Sequence, residues 1–368
     1  LTPRALRAVS LIGVSLIAVL VGSFAFLHEA RPQPAEPVHV LGPGNDVDYS
    51  FVSPSTGWAL ITEPWSVSSR FSVFQTVDGS QHWTRQFSAP MQSGVASVHF
   101  FDGRQGMVSV LSSPSLIYET EDGGAHWDVV TLPRNVVTFV FSDQSHGWME
   151  TWLSSSGVGF RLFSTSDGGR LWVERRWPAA AVWGIRARYG AEVQYRDGGE
   201  GWVGGNSTKP TVYFTRDDGV TWQRLRLPAP AHTTPSYTTE VSLLPGGGVL
   251  TVVIDVRGDV NGFATMDGGQ TWLALDRPAP SIHFSDFLFA DAQHWWAMQP
   301  GGLYKTSDGG LTWRSVGAPN LVDSWEYAPH VIDATHAWAV MTRLQVGTGL
   351  AMTSDEGKTW RSVNVPQP

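Results

Sequence analysis

The chain has 368 residues, with 39 Gly, 23 Pro and 18 Trp, only 16% charged residues and a formal net charge of −8. Many turn formers with many aromatics suit short strands joined by tight turns, and exclude a helical bundle or a disordered chain. The absence of cysteine excludes disulfides, thiolate metal sites, thiol nucleophiles and a lipid-bearing N-terminal cysteine, and the acidic balance argues against nucleic acid as a partner.

In chain order, the first element is the uncharged, mostly apolar run Ala8–Leu27, preceded by Arg4 and Arg7. Twenty helical residues at about 1.5 Å each match the roughly 30 Å core of a bilayer. The two arginines favour a cytoplasmic N-terminus with the remainder outside. The segment predicts one transmembrane helix acting as a signal anchor over residues 1–30. The alternative is a cleaved signal peptide with Ser23-Phe24-Ala25 at the cut, which would leave a secreted protein. A Pro-rich linker follows over 31–45, through Pro32, Pro34 and Pro37.

From residue 46 to 368 one motif recurs seven times. It begins with Thr, has Asp two residues later and ends in Trp. The first copies read Thr76-Val-Asp78-Gly-Ser-Gln-His-Trp83 and Thr120-Glu-Asp122-Gly-Gly-Ala-His-Trp127. The others centre on Asp167, Asp217, Asp267, Asp308 and Asp355, and end at Trp172, Trp222, Trp272, Trp313 and Trp360. Successive aspartates are 41 to 50 residues apart, the length of one four-stranded propeller blade. Upstream of each copy lies a second signature, an aromatic or apolar strand, a polar turn, then Gly-Trp or a relative. Its instances include Phe51…Gly57-Trp58, Phe101…Gly106-Met107, Phe141…Gly147-Trp148, Tyr195…Gly201-Trp202 and Ile332…Ala337-Trp338.

Together the two signatures give four antiparallel strands per unit. The expected fold is all-β, a seven-bladed β-propeller with Val38–Leu41 as a possible extra strand of the last blade. In each hairpin Asp-Gly and Gly-Gly supply positive φ. The aspartate accepts backbone N–H groups as in an Asx-turn, and the tryptophan opens a buried outgoing strand. Asp78, Asp122, Asp167, Asp217, Asp267, Asp308 and Asp355 are therefore read as structural. His82 and His126 stand where Thr is usual, and Leu171 does so in the third copy.

This pattern resembles the BNR/Asp-box repeat of sialidases, sortilin-type receptors and xyloglucanases, and follows most closely the photosystem II assembly and stability factor family. The resemblance implies a non-catalytic extracytoplasmic binding or scaffold protein. Such a protein would assist the assembly or stability of a membrane protein complex, or hold another envelope component.

In such a blade the 1–2 turn and the Asp-box turn share one face, and the 2–3 and interblade loops share the other. Loops on a rigid scaffold are where binding residues concentrate. The candidates on that loop face are Trp65, Arg70, Trp152, Trp183, Arg186, Tyr237, Arg257, Trp325 and Arg343. Exposed Trp with Arg is the composition of a protein or sugar contact surface; the alternative is that these rings pack loops onto the ring.

Enzyme readings are weaker. The Phe/Tyr-Arg-Ile/Leu-Pro motif of sialidases is not found, and Arg226-Leu227-Pro228 stands too late. A glycosidase needs two flanking carboxylates, which loop acids such as Glu63 or Asp259 could supply. The eleven His show no ligand spacing, so no metal and no cofactor is expected. A glycan-binding propeller or a sialidase-like glycoside hydrolase is the alternative reading.

Overall fold

The computed structural model describes residues 41, 45–64, 66, 69–91, 94–133, 136–152, 160–178, 193–196, 199–228, 237–244, 247–255, 260–275, 287–299, 302–317, 329–343 and 347–367. The apolar run Ala8–Leu27 and the Pro-rich linker, apart from Leu41 and Asn45, lie outside them. Among the described residues no helix is long and apolar enough to cross a membrane.

Seven antiparallel sheets follow one another along the chain. Blade one is β1 (Asp46–Phe51), β2 (Gly57–Thr62), β3 (Arg70–Thr76) and β4 (Thr84–Pro90); blade two is β5 (Val95–Phe100), β6 (Gly106–Leu111), β7 (Leu116–Thr120) and β8 (Asp128–Thr131). Blade three is β9 (Val136–Phe141), β10 (Gly147–Trp152), β11 (Phe160–Thr165) and β12 (Val173–Arg175). Blade four is β13 (Gln194–Arg196), β14 (Glu200–Gly204), β16 (Thr211–Thr215) and β17 (Gln223–Arg226). Its two-residue β15 (Asn206–Ser207) instead joins blade five, which is β18 (Tyr237–Leu243), β19 (Val249–Asp255), β20 (Val260–Thr265) and β21 (Leu273–Leu275). Blade six is β22 (Phe287–Phe289), β23 (Trp295–Gln299), β24 (Gly302–Thr306) and β25 (Arg314–Gly317). Blade seven is β26 (Pro329–Val331), β27 (Ala337–Arg343), β28 (Gly347–Thr353) and β29 (Arg361–Val363). The all-β propeller expected from the repeat is thus the fold observed.

The Gly-Trp signature has a steric cause. The aromatic that ends strand 1 faces the glycine that opens strand 2, as in the register pairs Phe51↔Gly57, Phe100↔Gly106 and Phe141↔Gly147. A Cβ on Gly57 would stand 2.2 Å from the Phe51 ring, and one on Gly106 2.4 Å from that of Phe100. The ring lies across the bare backbone, and the next residue carries its own ring into the neighbouring blade. Trp58 stacks on Phe100 at 3.5 Å between centroids. Blade six has Trp295 at the glycine position, and there Phe289 turns edge-on at 88°.

Trp58, Trp148, Trp202, Trp296 and Trp338 are fully buried in these interfaces. The Trp of the Asp-box turns was expected to be buried as well; only Trp360 is, and the other six are half-buried. They lead into the outermost strand of each blade, next to solvent. Trp83 uses its indole N–H to reach across to blade seven, donating to the Asn364 carbonyl at 2.9 Å.

The ring closes through the same kind of contact. Leu41, Tyr49, Phe51 and Ile61 form one core cluster with Trp338, Leu350 and Val363. Leu41 is fully buried and makes an antiparallel bridge to Thr348, donating to its carbonyl at 2.8 Å and accepting from its N–H at 3.2 Å. The extra strand expected at Val38–Leu41 is seen as this single bridge, residues 38–40 lying outside the described residues.

Candidate functional site

Each box is built on two side chains. The Thr hydroxyl donates to the Asp carboxylate, at 3.0 Å for Thr76 and Asp78, and accepts the backbone N–H four residues on, at 3.0 Å from Ser80. One Asp oxygen also accepts the N–H four positions after it, as from Thr271 to Asp267 at 2.9 Å. The other oxygen accepts the hydroxyl of that same Thr at 2.6 Å. Histidine replaces this Thr in blades one and two without loss, because Nδ1 takes the position of the hydroxyl, 2.7 Å from Asp78 and 2.6 Å from Asp122. In blade three Leu171 offers no such donor, and Asp167 is held by the Thr165 hydroxyl and the Leu171 N–H.

These donors hold the carboxylates in their charged form. The backbone N–H and ring of His82 bring Asp78 to a pKa of about 2, and the Thr271 hydroxyl does the same for Asp267. An acid so depressed cannot deliver a proton near neutral pH, in keeping with the structural reading of all seven.

The box turns also define the two faces. Gly79 donates to Ser55 O, Gly123 to Arg104 O and Gly168 to Ser145 O, so box turn and 1–2 turn are bonded together on one face. His146, His294 and His336 belong to those 1–2 turns, where Asp143, Asp291 and Asp333 accept both the backbone N–H and a ring contact of the histidine.

On the opposite face, Arg70 stands exposed at the start of β3 with its guanidinium on Ser88, 3.2 Å to both Oγ and the carbonyl. Trp152 ends β10, half-buried. The backbone places Tyr237 at the start of β18, opposite Asp255, and Arg343 at the end of β27, opposite Gly347. These four therefore mark the loop-face ends of blades one, three, five and seven. Trp65, Trp183, Arg186, Arg257 and Trp325 lie outside the described residues. Lys209, in the 2–3 loop of blade four, is exposed on the same face. Trp177, a further Trp outside the repeat signatures, packs half-buried against the cluster of Trp148 and Tyr195; its role is packing.

Sequence reading did not single out Asp48. It projects from the innermost strand of blade one and accepts from the Val98 N–H of blade two at 2.8 Å, while Ser50 accepts from Phe100 N–H at 2.8 Å. On the other side His330 of blade seven lies 3.3 Å from the Phe51 carbonyl. Polar side chains thereby cover strand edges that have no further strand to pair with. Burial raises Asp48 to a pKa of about 6 and lowers that of His330. Nothing in an alternating strand distinguishes such a capping acid from a solvated one.

Two cavities lined by described residues measure about 20 and 70 Å³. The larger lies between the boxes of blades three and four, beside Asp167, Arg175 and Asp218, with room for one or two waters and not for a sugar ring. Among the described residues no group of three His, Cys, Asp or Glu could hold a metal ion.

No protein-family model matches the chain. It is 26% identical over 145 residues to the photosystem II assembly lipoprotein Ycf48 of Synechococcus sp. (strain CC9902). The chain is an Asp-box propeller resembling the photosystem II assembly factors. The matched stretch is 39% of this chain and 40% of that relative's length. YCF48 from Cyanidioschyzon merolae shares the fold at a TM-score of 0.51 and 16% identity, over 87% of this chain and 97% of that one. The BP39L lectin from Burkholderia pseudomallei shares it equally, at 0.52 and 13% identity, over 88% and 100% of the two chains. At these identities the likeness of structures speaks for the fold alone.

Proposed function

We propose that this protein is a non-catalytic binding or scaffold protein that assists assembly or stability of a membrane protein complex through its loop face. The observation that carries the reading is the sequence similarity to a photosystem II assembly lipoprotein. Two features of the molecule support it. The acids of the repeat are held by turn donors, and two cavities lined by described residues, of about 20 and 70 Å³, are far below the roughly 300 Å³ of a small-molecule site. A broad face presenting Arg70, Trp152 and Lys209 suits a macromolecular partner better than a small substrate. In this reading Ala8–Leu27 anchors the chain and the propeller lies outside the cytoplasm. The similarity concerns the kind of protein; no residue of the chain speaks for light or chlorophyll, and the client complex need not be photosynthetic.

The test is cross-linking in intact cells, followed by pull-down and mass spectrometry, with a Trp183→Ala/Trp325→Ala variant beside the natural chain. A recurrent membrane protein that is lost from the variant supports the reading and names the client. Recovery of glycan alone, or turnover of a fluorogenic glycoside by the purified chain, would replace it with the sugar-binding or hydrolase reading.

A further inference from the structure

We infer that the larger of the two cavities, at the seam of blades three and four on the face of the box turns, binds an alkylammonium group, the end of a lysine side chain of a partner polypeptide. The inference goes beyond the loop-face reading and does not rest on it. It is carried by the difference between this seam and the seam of blades six and seven.

In both seams the residue before the box Thr pairs with a tryptophan of strand 2, Ser164 with Trp148 and Lys305 with Trp296. Across the seam stands an acid that directly follows the box aspartate of the next blade, Asp218 in blade four and Glu356 in blade seven. The other five boxes have glycine there, and the two acids hold positive φ, 56° and 68°. In the seam of blades six and seven the chain supplies cations to its own acid. Lys305 is buried with Nζ 4.1 Å from the centroid of the Trp296 ring and 4.0 Å from Glu356 Oε2. Arg314, which opens β25, donates to the same oxygen. In the seam of blades three and four the equivalents of these two cations are Ser164 and Val173. There the acid borders a cavity of about 70 Å³, whose lining includes Ser164, Asp167, Leu171, Val173, Arg175 and Asp218.

The same cavity borders the one box whose aspartate lacks its last donor. In the other six boxes Oδ2 accepts from the Thr or His side chain four residues on. Leu171 has no donor to offer, and the hydrogen bonds to the Asp167 carboxylate, from the Thr165 hydroxyl and the Leu171 N–H, both go to Oδ1. Asp218 accepts the Tyr195 hydroxyl on its own Oδ1 at 2.9 Å. Arg175 is turned to Ser164, with Nε donating to Oγ at 2.9 Å. Two carboxylates against one guanidinium leave the lining with an excess negative charge. A primary ammonium brings three donors and no acceptor. It is close to a water in size, so the cavity takes it with little more than the methylene behind it. The rest of the stem then lies on Leu171 and Val173, 65% and 43% exposed at the rim, as lysine stems do on apolar surface. Among the described residues there is no third acid to make this a metal site.

The test is calorimetric titration of the full chain, in a nonionic detergent at neutral pH, with the peptide acetyl-Gly-Lys-Gly-amide. Saturable binding is expected, absent when norleucine replaces the lysine of the peptide, and competed by n-butylammonium. Leu171→Thr gives the box its usual donor without altering charge, and Ser164→Lys supplies the cation that the seam of blades six and seven carries. Each is expected to weaken the peptide about tenfold or more, with the melting temperature unchanged or raised. Ser307→Lys adds the same charge at an exposed position elsewhere on that face and is expected to leave binding within about twofold. No saturable binding, or binding undiminished in both Leu171→Thr and Ser164→Lys, would overturn the site. Equal weakening by Ser307→Lys would overturn it too, reducing the effect to the net charge of the face. Binding of n-butylammonium without binding of the peptide would overturn the assignment to a lysine side chain.

Discussion

Phe51 lies flat on Trp338, 3.8 Å between ring centroids and 7° between planes, and so joins the first blade to the last. The two residues are 287 positions apart, yet the contact reproduces that of Trp58 on Phe100 between blades one and two. Ring closure is one more turn of the repeat, helped by Leu41. Removing the Phe51 ring therefore opens the seam as well as a cavity. Phe51→Ala is expected to cost about 3–5 kcal/mol, read as a lowered urea midpoint. A lowered slope against urea would show in addition that the native ring has loosened. An unchanged midpoint would mean that the ring is closed by other contacts.

The glycine facing that ring gives a sharper case. Gly57→Ala drives a methyl into the Phe51 ring, and Phe51 cannot retreat without leaving Trp338. A loss of about 1–3 kcal/mol is expected, the usual cost of overpacking. Gly103→Ala, in the open 1–2 turn of blade two, is expected to stay within about 0.5 kcal/mol of the natural chain. Equal melting temperatures for the two variants would contradict the steric account of the Gly-Trp signature.

The glycine and the ring were legible in the sequence because both recur at a near-constant offset, and a repeated offset reports a repeated contact; in blade two the sequence offered Phe101, whereas Phe100, six positions before Gly106 as Phe51 is before Gly57, faces the glycine. The box was legible for the same reason, down to the turn N–H groups that its aspartates accept. The exposure of the box tryptophans was not. Trp83 and Trp360 occupy equivalent places in the motif, and only their positions at the rim decide that one is half-buried and the other buried. Nor could the sequence show convergence on the loop face. Arg70, Trp152, Tyr237 and Arg343 belong to four different blades, and their common end of the sheets follows from strand direction, not from spacing. Asp48 was missed because its partner, the Val98 N–H, belongs to a strand fifty positions away.

The box carboxylates set one acid limb of stability. Their pKa values lie below the ordinary range, near 2 for Asp78, Asp267 and Asp308. An unfolded chain takes up these protons first, near pH 4. Their contribution is present above that pH and is lost as pH falls from about 4 toward 2. Asp267→Asn keeps an acceptor but not the charge, so the difference between natural and variant chains should be largest near neutral pH and shrink below pH 4. Partner retention at neutral pH should be unchanged once the protein is folded. Selective loss of binding from a fully stable variant would contradict the structural reading of the box.

Asp48 acts in the opposite sense. Its pKa of about 6 in the fold stands above the unfolded value. The folded state therefore binds the proton more tightly, and stability falls as pH rises from about 4 to 6. Asp48→Asn removes that titration. Relative to the natural chain the variant should gain stability across this window, by at most about 3 kcal/mol, whatever its offset at low pH. His330, lowered by burial, opposes protonation below its ordinary range and is common to both chains, so it cancels in the comparison. A difference that does not change between pH 4 and 6 would remove Asp48 from the set of buried titrating groups.

Binding and stability should separate across the two faces. Arg70 is exposed, and its guanidinium donates to Ser88 of its own blade. Arg70→Glu reverses charge on the loop face at a stability cost of about 0.5 kcal/mol, as for other surface changes. Combined with Lys209→Glu it is expected to lower retention of the membrane partner at least tenfold, the equivalent of about 1.4 kcal/mol, with no shift in melting temperature. A matching reversal on the box face, Arg104→Glu, should leave retention unchanged if the loop face is the contact surface, as proposed. Measuring all three against the cross-linked client distinguishes a contact at the loop face from a general dependence on net charge. Equal losses from either face would indicate the latter, and would remove the loop face from the binding account.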